Sequence, residues 1–268
     1  MLIHLGERRI HCDIVGSEDA PVVCMAHCLS SDTTVWAEQV PPLLAAGWRV
    51  LRIDMRGHGG SDAVGDTATM EDLAQDVVAV LDFLGIARAH FAGVSIGGMI
   101  GQQLALDHPQ RFHSMLLSGT SPKQVPGPPE MWPDRFALIA EAGSVEPIAD
   151  DAMIRWVTED FQPRRPNRWR QVRETIARTS PDGYIAGARA IIGFDVLDRL
   201  PQVRLPTLVI CGDDDRGTPP EGNRRIAELI PGARYEEMIN ARHLPMVEYP
   251  DDYARLLLGW LEARRSAA

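Results

Sequence analysis

Residues 89–99 read Ala89-His90-Phe91-Ala92-Gly93-Val94-Ser95-Ile96-Gly97-Gly98-Met99, and the organisation of the chain can be worked out from them. A short apolar run, 89–93, ends in the pattern Gly-x-Ser-x-Gly and passes directly into 96–107, where apolar residues recur at three- and four-residue spacing. That is a strand turning sharply into a helix. Glycines flank the serine because larger side chains would collide with the neighbouring strand and helix, and the turn holds the serine in a strained conformation. Its hydroxyl is pushed out above the sheet, beside the free N–H groups of a helix N-terminus. A glycine-rich turn with an incidental serine is the alternative, and the strand before and helix after argue against it.

The same alternation extends outward. Apolar runs at 22–26, 49–53, 89–93 and 114–117 read as buried strands, and 34–46, 70–84 and 96–107 as the helices between them. Strands alternating with helices of that length predict βαβ crossovers and a mostly parallel, doubly wound α/β sheet. Residues 1–16, with a turn at Gly6-Glu7, read as an antiparallel hairpin at its edge. From Ser121 to about Asp198 the texture changes to prolines and short helices, at 133–142 and 150–160, followed by an arginine-rich run from Arg164 to Arg178. The alternation resumes with strands at 208–211 and 234–238 and helices at 220–230 and near 249–263. The expected organisation is therefore an α/β core from 1–120 and 199–268, with a helical cap at 121–198.

Composition narrows the functional classes. The chain has 268 residues, 45% of them hydrophobic, enough for one large core. Its net charge of −10 argues against a nucleic-acid partner, which needs basic patches. No apolar stretch reaches a bilayer span, and 1–14 lacks the apolar run of a secretory signal, so no membrane partner and a cytoplasmic location are expected. Cys12, Cys24, Cys28 and Cys211 are scattered and not spaced as metal ligands; they read as unpaired, buried thiols, and no metal is expected.

A serine hydroxyl needs a base to take its proton and a third group to orient that base. After this turn the expected chain order is serine, acid, histidine. Of the three later histidines, His108 and His113 come too early, which leaves His243, in a loop between the last strand and the last helix. The acid belongs in a loop after a strand. Asp213, Asp214 and Asp215 follow 208–211, whereas 118–121 after the preceding strand offers no carboxylate. Two backbone N–H groups should meet the developing oxyanion, one from Ile96 and one from the loop His27-Cys28-Leu29. Asp54-x-Arg56-Gly57-x-Gly59 reads as a structural turn beside the site.

Together these motifs resemble the α/β-hydrolase superfamily over nearly the whole chain. The spacing in that family implies Asp215 as the acid and the N–H of Leu29 as the second oxyanion donor, although Cys28 stands where most members have glycine. Leu29 to Trp36, Ser95-Ile96-Gly97-Gly98-Met99, Arg155-Trp156, Asp182-Gly183-Tyr184, 205–210 and Thr218-Pro219-Pro220 resemble 3-oxoadipate enol-lactonases more closely. Pro245-Met246 replaces the Ser-Asn usual there and is common elsewhere in the superfamily.

The expected activity is hydrolysis of a small carboxylic ester or lactone, similar to the enol-lactone, through an acyl-serine and without a cofactor. Generic carboxylesterase, perhydrolase or acyltransferase activity would use the same residues, and a non-catalytic binding module would be expected to lose one of them. For a carboxylated substrate, Arg135 or Arg155 is the expected cation, with Trp132 and Trp156 walling an apolar pocket. The alternative is that both arginines pair with surface acids such as Asp134 or Asp151. The run Arg164–Arg178 is expected to be a solvated helix face.

Overall fold

A computed structural model describes residues 1–63, 65–128 and 130–265. The expected hairpin forms: β1 (Leu2–Leu5) pairs antiparallel with β2 (Arg8–Val15) across Gly6-Glu7, where Gly6 holds φ +66°. β2 then pairs antiparallel with β4 (Arg49–Ile53), and from there the sheet is parallel. Its other strands are β3 (Val22–Ala26), β5 (Ala89–Val94), β6 (Phe112–Ser118), β7 (Thr207–Gly212) and β8 (Arg234–Met238). The spatial order is β1-β2-β4-β3-β5-β6-β7-β8. Every residue of β3, β5 and β7 is buried, which explains why they read as continuous apolar runs rather than alternating ones.

Helices cover the sheet. The first stretch divides into a 3₁₀ turn, Thr33–Gln39, and α1 (Val40–Ala45), where the expected single helix would have met Pro41 and Pro42. α2 (Met70–Phe83) begins with a capping box in which Thr69 and Asp72 satisfy each other's backbone N–H groups. α3 (Ile96–Asp107) is buried along most of its length. Between β6 and β7 the chain inserts α4 (Met131–Ala142), α5 (Ala149–Trp156), α6 (Phe161–Arg164), α7 (Pro166–Arg178) and α8 (Pro181–Ile192). α9 (Pro220–Leu229) joins β7 to β8, and α10 (Pro245–Glu248) and α11 (Pro250–Glu262) close the chain. The helix expected at 150–160 stops at Trp156, because Val157 turns extended with ψ near 154°.

The arginine run needs a correction. Arg168 is buried on α7 and makes paired hydrogen bonds to Glu38 at 2.8 and 2.9 Å, and it also donates to the Thr34 carbonyl. Arg165 reaches the same carboxylate. A solvated helix face was expected here, and what the sequence did not disclose is that one side of it meets an acid 130 residues away. All four cysteines are free and buried, and burial pushes the Cys12 thiol up to about 11 and Cys28 to about 12. No helix among the described residues is long and apolar enough to cross a membrane.

Candidate active site

Because β5, β6, β7 and β8 are adjacent and parallel, the loops that leave their carboxyl ends lie on one edge of the sheet. Open α/β sheets bind ligands at that edge. Ser95 follows β5, the Asp213–Asp215 run follows β7, and His243 follows β8.

Ser95 occupies φ 59°, ψ −119°, a conformation that costs a non-glycine residue strain and persists only where its surroundings enforce it. Its N–H donates to the Ser118 carbonyl at 2.9 Å, and its carbonyl accepts from the Thr120 hydroxyl at 2.8 Å. The flanking glycines are sterically required: a Cβ at Gly93 would sit 2.2 Å from the Gly97 carbonyl oxygen, and one at Gly97 2.5 Å from that of Ala26. Ser95 is the partly exposed residue of an otherwise buried turn, and it opens into a cavity of about 310 Å³.

His243 lines the same cavity and is nearly buried. Its Nδ1 lies 2.9 Å from Asp215 Oδ2 and 3.1 Å from Oδ1. Asp215 is buried as well, and its Oδ1 accepts the N–H groups of Gly217 and Thr218 at 2.8 and 2.9 Å. The two neighbouring acids have other partners. Asp213 accepts from the Ala241 N–H, and Asp214 from Arg242 and Arg216. Of the three acids, Asp215 is therefore the one that the structure brings to the imidazole.

Of the two expected oxyanion donors, one lies in the cavity wall and the other directly follows Ser95. Ile96 opens α3 directly after Ser95, and Leu29 lines the cavity. Met55 N–H donates to His27 Nε2 at 2.9 Å, so the ring proton is on Nδ1 and is donated to the Cys28 carbonyl at 2.8 Å. Burial holds His27 below the usual histidine range, in keeping with a neutral ring. A trans peptide points its C=O and N–H to opposite sides, so fixing the Cys28 carbonyl towards His27 turns the Leu29 N–H away from that ring. Ser30, next in line, has φ +61°. Asp54 braces the loop, accepting the N–H groups of Thr33 and Gly60 and the His11 ring, which fits its structural reading.

The insertion supplies the opposite wall. Trp132, Arg135, Arg155 and Trp156 all line the cavity, and the Trp156 ring lies 6.2 Å from that of His243. Arg135 stacks over Trp132 with its Cζ 5.5 Å from the ring centre. Both arginines reach one exposed acid, Asp151, at 3.4 and 3.3 Å, so one of the suggested surface partners is realised although both face the cavity. Two cations thus share a single anion. Burial and the neighbouring Arg135 charge lower the pKa of Arg155, and the Arg155 Nε and Trp132 Nε1 are buried without an acceptor. Among the described residues no Asp or Glu lines the cavity, while Arg216 adds a third cation. The sequence reading missed Arg216, and it missed Thr218, whose hydroxyl contacts both Asp215 and His243. A short polar residue just before a proline-initiated helix was the available signal for Thr218.

A mostly parallel eight-stranded sheet, a strained serine turn and a helical insertion before the acid-bearing loop together define the α/β-hydrolase fold. The family model described as "alpha/beta hydrolase fold" matches residues 21–250, and the chain belongs to that family. It is 29% identical to 3-oxoadipate enol-lactonase 1 of Acinetobacter baylyi over 267 residues, covering 98% of this chain and 97% of that one. It is 30% identical to a protein of Variovorax paradoxus provisionally named a carbamate hydrolase, covering 96% and 97%. The crystal structure of the enol-lactonase from Burkholderia xenovorans LB400 superposes with a TM-score of 0.93 at 33% identity, covering 98% of this chain and all of the other.

Proposed function

We propose that this hydrolase cleaves a small carboxylic ester or lactone that itself carries a carboxylate, through an acyl-serine intermediate. The observation that carries the reading is that His243, its imidazole paired with the buried Asp215, lines the cavity into which Ser95 opens. In this reading the core is 1–120 and 199–268, and 121–198 is a cap closing over it. His243 takes the proton of the Ser95 hydroxyl as its oxygen attacks the acyl carbon. Asp215 orients the imidazole and stabilises the imidazolium that forms. The N–H groups of Leu29 and Ile96 hold the oxyanion of the tetrahedral intermediate. Collapse expels the alkoxide, which takes the proton from His243; for a lactone it stays tethered to the acyl group. Water, deprotonated by His243, then attacks the acyl-serine, and a second collapse releases the acid and restores Ser95.

The carboxylate preference rests on Arg135 and Arg155, which face the cavity with one shared acid, and on the unmet donors Arg155 Nε and Trp132 Nε1. An anion bound there would satisfy both. Trp132 and Trp156 form the apolar walls. The likeness to an enol-lactonase at 33% identity agrees with a small carboxylated lactone as substrate.

The test has two arms. A fluorophosphonate should label the wild type but not folded Ser95→Ala, and a labelled, active Ser95→Ala protein would overturn the mechanism. In a panel of neutral esters, γ- and δ-lactones and the enol-lactone, Arg135→Ala or Arg155→Ala should raise KM for carboxylated substrates about tenfold or more and leave neutral esters alone. Equal effects on both classes would reduce the reading to a generic esterase.

A further inference from the structure

Resting on the acyl-serine reading, we infer that Thr218 is a positioning residue for the reaction, its hydroxyl bridging the Asp215 carboxylate and the His243 imidazole. The hydroxyl donates to Asp215 Oδ2 at 2.9 Å, and its oxygen lies 3.3 Å from His243 Nδ1. With its proton committed to the carboxylate, the oxygen presents a lone pair to Nδ1–H. That ring N–H is therefore shared between Asp215, at 2.9 Å, and Thr218. The O–H dipole lies between the charges with its positive end on the anion and its negative end towards the ring. It favours each partner in its charged form, and it matters most when the ring has taken the serine proton.

Several contacts leave this hydroxyl little freedom. Thr218 is buried and its N–H donates to Asp215 Oδ1 at 2.9 Å. Its carbonyl accepts from Asn223 Nδ2 at 2.8 Å, and Asn223 Oδ1 in turn accepts the Thr120 N–H at 2.9 Å. Thr120 donates to the Ser95 carbonyl, so a chain of hydrogen bonds runs from the serine turn to the acid–base pair. Cys211, whose thiol is 4.0 Å from Asp215 Oδ2, is a further ionisable group beside the pair, and Arg135, Arg155, Tyr184 and Arg216 line the same cavity as His243. The thiol lies closer to the carbonyl of Gly212, at 3.3 Å, so among the described residues Thr218 is the side chain besides His243 that gives Asp215 Oδ2 a close hydrogen bond.

Thr218→Val removes the hydroxyl and keeps the shape. One hydrogen bond to a charged group corresponds to about a tenfold to hundredfold rate effect when it acts on the transition state. The expected result is kcat lowered by about that factor with KM unchanged and the melting temperature close to wild type. Thr218→Ser should restore kcat to within about threefold, since serine keeps the oxygen. If the valine variant does not fold, Thr218→Ala is read in the same way. Wild-type kcat in either folded variant, or failure of serine to rescue, would overturn the inference. Ser95→Ala measured alongside separates the two levels: an inactive Ser95→Ala with an active Thr218→Val removes Thr218 alone, whereas an active Ser95→Ala removes the acyl-serine reading.

Discussion

At the scale of single residues, three consecutive aspartates have three environments. Asp215 faces the imidazole, Asp214 pairs with the buried Arg242 and with Arg216, and Asp213 caps the Ala241 N–H. Substitutions there should therefore separate by property. Asp215→Asn should lower kcat by about ten-thousandfold, because an amide cannot stabilise an imidazolium and favours the wrong ring tautomer. Asp214→Asn should instead lower stability by about 1–2 kcal/mol, discounted because the Asp214 side chain is half exposed, and leave kcat within a few-fold of wild type. Parallel kinetics and urea titrations on both variants check this. A crippled kcat in Asp214→Asn would show that the acid has been misassigned by one position.

At the scale of elements, the insertion is tied to the core by charge as well as by packing. Arg168 on α7 grips Glu38, in the turn after β3, through a pair of hydrogen bonds in a nearly dry setting. Arg168→Ala removes the paired hydrogen bonds but leaves Glu38 with Arg165, so it should cost about 2 kcal/mol, read as a lower urea midpoint. An unchanged midpoint would mean that the contact contributes nothing. This grip also marks the boundary of what the sequence discloses. The strand–helix alternation was legible because burial on both faces writes itself into β3, β5 and β7 as unbroken apolar runs. The seats of Ser95 and His243 were legible because glycines and chain order constrain them locally, whereas chain order left Asp213, Asp214 and Asp215 open and only the family resemblance pointed to Asp215. The Glu38–Arg168 pair and the Thr218 bridge were not legible, since each depends on partners that only the folded chain brings together. Prolines mark several element boundaries: Pro41 and Pro42 break the first expected helix, and Pro166, Pro181 and Pro250 each fall at a helix start.

At the scale of the molecule, several histidines are folded into the interior as neutral rings. Burial and the nearby His27 hold His58 down to about 3, and burial with His113 and Arg264 nearby holds His90 to about 4. In the unfolded chain each would titrate near 6.5, so below that pH the unfolded state binds more protons. Their contribution to stability is therefore complete above about pH 6.5 and is lost as the pH falls towards 4 and then 3. Melting temperatures measured from pH 7 to pH 4 should decline steadily, and His90→Gln should flatten the decline. A level profile in the wild type would mean that these rings charge freely in the native state.

The arginine-lined cavity has a consequence for how a substrate arrives. The whole chain carries a net charge of −10, yet the cavity is lined by Arg135, Arg155 and Arg216 and by no acid among the described residues. An anion diffusing in from bulk water first meets a repulsive far field and feels attraction only at the mouth. Mobile ions damp the two unequally: the far field is cut off beyond about 30 Å at 0.01 M salt and about 10 Å at 0.1 M, whereas contacts inside a partly buried cavity are screened much less. Encounter with an anionic lactone should therefore quicken as salt is added at low concentration, opposite to the trend for an enzyme that steers its substrate by net charge. Stopped-flow or kcat/KM measurements between 10 and 150 mM sodium chloride, with a neutral ester as reference, would show the rise for the anion alone, and a fall would mean that the near field of the arginines already governs the approach.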